Sequence, residues 1–100
     1  MAKYSVLIYA AAQQDLFDIV QYLNTLSPDA AIGQYDRIVD HIVALQDMPE
    51  RYPVCKDTQL QLKGYRMMVV DHYIVFYVVK EGTVQIRRIL YGARKYDWLL

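Results

Sequence analysis

Residues 16–45 read LFDIVQYLNTLSPDAAIGQYDRIVDHIVAL, and the Ser27-Pro28-Asp29 step in their middle decides the architecture. A serine hydroxyl accepts an orphan amide at a helix start, a proline in the first turn sacrifices no hydrogen bond, and a carboxylate there meets the positive end of the helix dipole. One helix therefore ends near Leu26 and a second starts at once. Upstream, Ala12, Leu16, Ile19, Val20 and Leu23 fall on one helical face, with Gln14, Asp15, Asp18 and Gln21 largely on the other. Downstream, Ala31, Tyr35, Ile38, Ile42 and Leu45 recur at steps of four and three, flanked by Ile32, Val39 and Val43, so the second apolar face is wide. Pro49 and Pro53 close that helix and open a loop. Two short-linked helices with apolar faces make a hairpin that needs a sheet to lie on.

The flanking sequence supplies the sheet. Tyr4 to Tyr9 (YSVLIY) is β-branched and aromatic and reads as an opening strand. From Thr58 onward the chain reads as β: Thr58 to Leu62 alternates, Gly64 interrupts, Tyr65 to Val70 and Tyr73 to Val79 flank an Asp71-His72 turn, and Lys80-Glu81-Gly82-Thr83 turns into a last strand, Val84 to Tyr91. The expectation is an α+β domain spanning residues 1–100, with an antiparallel meander of three or four strands under the helix hairpin. Gly92 to Leu100 is a short basic and aromatic tail whose Trp98-Leu99-Leu100 is expected to dock on something apolar.

Composition narrows the function classes. The 100 residues are 55% hydrophobic, enough for one core, and the formal net charge is zero. That zero hides an asymmetry: residues 1–50 carry two cations against seven carboxylates, a balance of −5, and residues 51–100 carry nine against four, a balance of +5. A bipolar chain suits an anionic partner on one side. No run approaches a membrane span, and Met1-Ala2-Lys3-Tyr4 lacks the apolar stretch of a secretion signal, so the expected location is cytoplasmic with no membrane contact. Cys55, the one cysteine, reads as an incidental loop thiol.

The chain has no phosphate-cradling glycine loop, no paired Cys or His at metal spacing and no serine-nucleophile motif, so no cofactor and no metal are expected. His72 reads as a turn residue and His41 as an exposed flank of the second helix. What remains is a set of cations and tyrosines: Lys63 and Arg66 around Gly64-Tyr65, Arg87 and Arg88 in the last strand, then Tyr91, Arg94, Lys95 and Tyr96. With period two, Arg87 and Arg88 point to opposite faces, and one of them looks onto the open face of the sheet. Such a set suits nucleic acid, with arginine on phosphate and rings on bases, and equally suits a protein interface anchored by Tyr and Arg. A third reading has Tyr91 and one arginine paired inside the fold.

The order strand, helix, helix, strands resembles the RelE/ParE superfamily of toxins from type II toxin-antitoxin systems, also described as plasmid stabilisation proteins. Met48-Pro49-Glu50-Arg51-Tyr52 is similar to the element that closes the second helix there. Gly64 to Val70 followed by Tyr73 to Tyr77 resembles its central hairpin, and Arg88 to Arg94 its last strand and tail. The resemblance implies a β-α-α-β-β-β fold and growth inhibition neutralised by a cognate antitoxin, with operator DNA contacted only through that antitoxin. It implies one of two targets: DNA gyrase, bound without catalysis, or mRNA on the ribosome, cut without metal. In the second case Arg66, Arg88 and Tyr91 carry catalysis. In either case Lys63, Arg66, Arg87, Arg94, Lys95 and Tyr96 meet target or RNA. A non-toxic, partner-binding relative is the remaining reading. Against a complete ribonuclease set, the chain is neutral overall, has Gly92-Ala93 beyond Tyr91, and has Tyr73-Ile74 where some ribosome-dependent nucleases place arginine.

Overall fold

A computed structural model of the chain describes residues 3–92. Its elements run β1 (Ser5–Ile8), α1 (Ala10–Leu26), α2 (Pro28–Ala44), a 3-10 turn (Pro49–Arg51), α3 (Thr58–Leu62), β2 (Tyr65–Val70), β3 (Tyr73–Lys80) and β4 (Thr83–Tyr91). The α+β fold with a helix hairpin on a sheet is as expected. Ser27 closes α1 and caps α2, its hydroxyl accepting the Ala30 amide at 3.3 Å.

The four strands lie in the order β1-β4-β3-β2. β2, β3 and β4 form the antiparallel meander, whereas β1 pairs parallel with β4, Ser5 opposite Thr83 through Ile8 opposite Ile86. The sheet is therefore mixed. The two helices between β1 and the meander form the long crossover that a parallel pairing requires. Both hairpin turns have two residues. Asp71 takes left-handed φ (56°) alone in the first, and Glu81 (53°) and Gly82 (77°) both do in the second, the pattern that matches strand twist.

Alternate residues of β3 enter two cores. Tyr73, Val75 and Tyr77 face the helices with Ala12, Leu16, Ile38, Ile42, Leu45, Met68, Val84, Ile86 and Ile89. Ile74, Phe76 and Val78 face the other way and join Cys55, Leu60, Tyr65 and Leu90. α1 packs against α2 and, in the sheet, chiefly against β4, while α2 reaches β2.

The structure departs from the sequence expectations at three points, each for an identifiable reason. Thr58 to Leu62 is a short helix and not a strand: the Asp57 carboxylate accepts the Leu60 amide at 3.1 Å, and Leu60 is buried in the second core. Five alternating residues were too few to outweigh that N-cap. The face of α2 that packs keeps Ala31, Ile38 and Ile42 of the stripe read in the sequence, with Leu45 just beyond, but Gln34 takes the place of Tyr35, and Tyr35 45%, Ile32 61% and Val43 50% stay exposed. Cys55 lies in a loop as expected, but its side chain is buried in the second core, where burial and then the Asp57 charge push its pKa up.

The far end of the first core is closed by the 48–52 turn. Met48 adopts a left-handed conformation (φ 47°), which directs the Pro49 carbonyl inward to accept the hydroxyl of the fully buried Tyr77. Burial pushes the Tyr77 phenol from 10.0 up to about 12.

Two predictions follow from this geometry. Folding keeps the Tyr77 proton where the unfolded chain releases it, so its stabilisation is complete below pH 10.0 and is lost as pH rises towards about 12. Urea denaturation between about pH 9 and about pH 11.5 is expected to show a loss roughly 2 kcal/mol greater for the native chain than for Tyr77→Phe. Separately, Glu81→Asn creates the Asn-Gly pair that this turn favours. It is expected to raise stability by about 0.5 kcal/mol, read as a higher denaturation midpoint at unchanged slope.

Candidate functional site: the arginine face and the helix edge

The cations singled out in the sequence divide into groups. Arg94, Lys95 and Tyr96, with Trp98-Leu99-Leu100, lie outside the described residues. Lys63 ends α3 and is exposed, its backbone amide closing the helix onto Gln59. Arg66, Arg87 and Arg88 are each held by the fold.

Arg66 is a staple. Its Nη1 donates to the carbonyls of Glu50 (3.1 Å) and Tyr52 (2.7 Å), and its Nη2 lies 3.8 Å from the Glu50 carboxylate. This fastens the 48–52 turn to β2, where Cys55 and Met67 amides bond to Tyr65 and Pro53 carbonyls across the strand's outer edge. The Met48-Pro49-Glu50-Arg51 element is therefore a surface turn pinned at its buried Pro49, with an open hollow of about 550 Å³ beside it lined by Tyr4 and residues 46–51.

Arg87 and Arg88 do not point to opposite faces. Tyr77 pairs with Ile86 and Phe76 with Arg88, so Arg87 is an inserted residue, a β-bulge. Val84, Ile86 and Ile89 face the helices, two residues separating the last two in place of one, and both arginines fall in that gap. Arg87 lies on the face of the second core, with its guanidinium carbon 4.6 Å from the centre of the Tyr9 ring and 5.8 Å from that of Tyr65. Its Nη2 donates to Gln85 at 2.8 Å, and its buried Nε has no hydrogen-bond partner among the described residues.

Arg88 turns to the sheet edge. β1 accompanies β4 only as far as Ile86, whose carbonyl accepts the Tyr9 amide, and the chain then enters α1. Beyond that point the edge of β4 is taken by one side chain, Asp15. Its carboxylate accepts Arg88 Nε at 2.7 Å and Nη2 at 2.8 Å, and the Ile89 amide at 2.9 Å. The two side chains are 24% and 11% exposed, and the hydrogen bonds to Asp15 hold the Arg88 pKa above its ordinary value. A fork-to-fork pair with a third donor is among the strongest polar contacts available to a small fold.

Tyr91 ends β4, half exposed, with its ring edge-on to Tyr73 at 5.9 Å. Tyr73 itself is buried, and its phenol is pushed up by that burial and then by the neighbouring Tyr91 and Tyr22. These rings line a groove of about 420 Å³ with Asp18 and Ile19 of α1.

Sequence reasoning missed Asp15, Asp18 and Tyr22. Asp15 was placed on the polar side of α1, and its only sequence signal is that it directly precedes Leu16, at the border of the apolar stripe. The histidines hold no site: His41 is exposed with Nδ1 2.7 Å from the Arg37 carbonyl, and His72 is exposed in its turn. Its neighbour Asp71 accepts Arg37 Nε at 2.8 Å and Gln34 Nε2 at 3.0 Å, and those hydrogen bonds, Arg37 first, lower its pKa. Among the described residues no group of three metal-ligating side chains converges, and no helix is long and apolar enough to cross a membrane.

A family model for the ParE toxin of the type II toxin-antitoxin system, parDE, matches residues 6–96. The chain belongs to the ParE toxin family. Solved structures share the fold of this ParE-family toxin. A chain of the chromosomal ParDE system from P. aeruginosa superposes with a TM-score of 0.76 at 21% identity, covering 89% of this chain and 96% of that one. A chain of the toxin-antitoxin complex RelBE2 from Mycobacterium tuberculosis superposes at 0.63, also with 21% identity, covering 94% and 97%. No curated protein matches it significantly in sequence. The family match and the β-α-α-β-β-β order agree with the resemblance read in the sequence.

Because Asp15 satisfies both the Arg88 guanidinium and the Ile89 amide, removing it strands two donors. Asp15→Ala is expected to lower stability by about 2–4 kcal/mol, and Asp15→Asn, which keeps one acceptor, by less. Urea denaturation of the three proteins at neutral pH checks the order.

Proposed function

We propose that this toxin inhibits growth by binding DNA gyrase without catalysis, and that a cognate antitoxin neutralises it. The observation that carries the reading is the engagement of Arg88 by Asp15. A phosphate clamp must meet its substrate with donors available, and here Nε and Nη2 are already turned to a carboxylate. An incoming phosphate would have to displace that carboxylate and leave it beside the reaction, where its charge opposes the developing oxyanion. Arg66 is held in the same way, by two carbonyls of the 48–52 turn. That two of the three residues a metal-free ribonuclease would use are already engaged within the fold supports this reading.

Membership of the ParE family supports the same direction, since the resemblance links the ParE branch to gyrase and the RelE branch to mRNA. The antitoxin is part of the proposal on the same ground: the family is the toxin half of a two-component system. The solved ParDE and RelBE2 assemblies are toxin-antitoxin systems in their own right. Operator DNA enters only through the antitoxin, and no metal or cofactor has a part in the mechanism.

Inducible expression of the chain alone, with mapping of mRNA 5′ ends and a supercoiling assay on purified gyrase, tests the proposal. The expected outcome is growth arrest with intact mRNA and inhibited supercoiling. Cuts at ribosome-occupied codons with unaffected supercoiling would replace it with the ribonuclease reading, and harmless expression would replace it with a non-toxic partner-binding role. Tyr91→Phe gives an independent reading: without catalysis, loss of the hydroxyl leaves growth arrest intact, whereas a proton-transfer role predicts a loss of about 10²- to 10⁴-fold.

A further inference from the structure

The helix hairpin carries surface chemistry unlike that of the basic half of the chain. Asp18, Asp29, Asp36 and Asp40 are exposed on α1 and α2, and the one arginine there, Arg37, is already paired with Asp71. Set among these carboxylates are large apolar side chains that the fold leaves outside: Phe17 is 54%, Tyr22 64% and Leu26 67% exposed. Asp18, Tyr22 and Leu26 succeed one another at four-residue steps and so share one stripe of α1.

Where that stripe meets the end of the sheet, Tyr22, Tyr73 and Tyr91 line the groove of about 420 Å³ with Ile19 and Asp18. Tyr73 forms its inner wall, and Tyr91, edge-on to Tyr73, and Tyr22 are open to solvent. Asp18 Oδ1 accepts a hydrogen bond from Gln14 at 2.8 Å, and no cation among the described residues pairs with the carboxylate. Aromatic faces carry negative potential, and a carboxylate at their margin adds full charge, so the groove attracts a cation that is flat enough to lie against rings. A guanidinium fits that description better than an ammonium, because it stacks and is weakly hydrated. The chain already uses this chemistry internally, with Arg87 seated against Tyr9 and Tyr65.

From the groove geometry and the charge of the hairpin we infer that Asp18, Tyr22, Tyr73 and Tyr91 form a binding site for an arginine side chain presented by a protein partner. The arginine enters between the rings with its guanidinium directed at Asp18, and an apolar neighbour on the same partner segment covers Tyr22 and Leu26. The site lies on the acidic side of the molecule and does not depend on the identity of the toxin's target, so gyrase binding and arginine binding stand or fall separately.

The test uses the full chain and the tripeptide acetyl-Leu-Arg-Leu-amide, with its citrulline counterpart as a neutral isostere, followed through assigned tyrosine ring signals by NMR. The arginine peptide is expected to shift the rings of Tyr22, Tyr73 and Tyr91 saturably, and the citrulline peptide to bind at least about fivefold more weakly. Asp18→Asn is expected to weaken the arginine peptide about threefold to fivefold, and Tyr22→Ala to remove the saturable shift, while Tyr35→Ala, on α2 outside the groove, changes nothing. Tyr22 and Asp18 are exposed, so these variants keep the fold, and the unperturbed signals of the core verify it in the same spectra. Absence of ring shifts up to about 20 mM arginine peptide, which corresponds to about 2 kcal/mol of binding, would overturn the inference, as would equal binding of the citrulline peptide or an unchanged affinity in Asp18→Asn.

Discussion

The fold turns on the Asp15 carboxylate at the edge of β4. A strand that loses its neighbour midway exposes a backbone amide, and a bulge that sets two arginines side by side leaves two charges to place. Asp15 answers both, because β1 ends at Ile8 and α1 starts at Ala10, which brings a side chain less than two turns into the helix beside Ile89. The contact ties the helix hairpin to the last strand at the point where β1 stops doing so. Everything that defines the basic face, from the setting of Arg87 on its tyrosines to the exit of Tyr91, lies on the stretch of β4 that this contact holds.

This explains how a chain with cations in suggestive places uses them structurally. Arg66, Arg87 and Arg88 each satisfy a need of the backbone or of an aromatic cluster. In a chain of 100 residues, polar staples at the margins supplement two modest cores, one on each face of the sheet. The exposed surface is therefore not the list of arginines alone but also the acidic, tyrosine-rich flank of the helices, where Phe17, Tyr22 and Leu26 stand open.

Much of the fold was legible in the sequence because its signals are local. Ser27-Pro28-Asp29 marks the hairpin by capping chemistry, and the Lys80 to Thr83 turn is written in Glu81-Gly82. The errors arise where a long-range contact decides. β1 alternates like any strand, and nothing within it says that it joins β4 in parallel. Thr58 to Leu62 alternates too, yet one N-capping aspartate and the burial of Leu60 make it a helix. The bulge at Arg87 has no local signal at all, and without it a period-two argument sends Arg87 and Arg88 to opposite faces. The candidate site was legible as a set of residue types, but their occupancy was not, because Asp15 lies far from Arg88 in sequence and next to it in space.

The parallel pairing of β1 with β4 has a consequence for biosynthesis. Among the described residues the strand at residues 5–8 pairs with residues 83–86 alone, in the last strand of the sheet to be made. Until those residues have left the ribosome, α1 has neither the strand it packs on nor the amide that Asp15 accepts, so the nascent chain holds a helix hairpin with an uncovered apolar face. That topology delays completion of the folded surface to the end of translation.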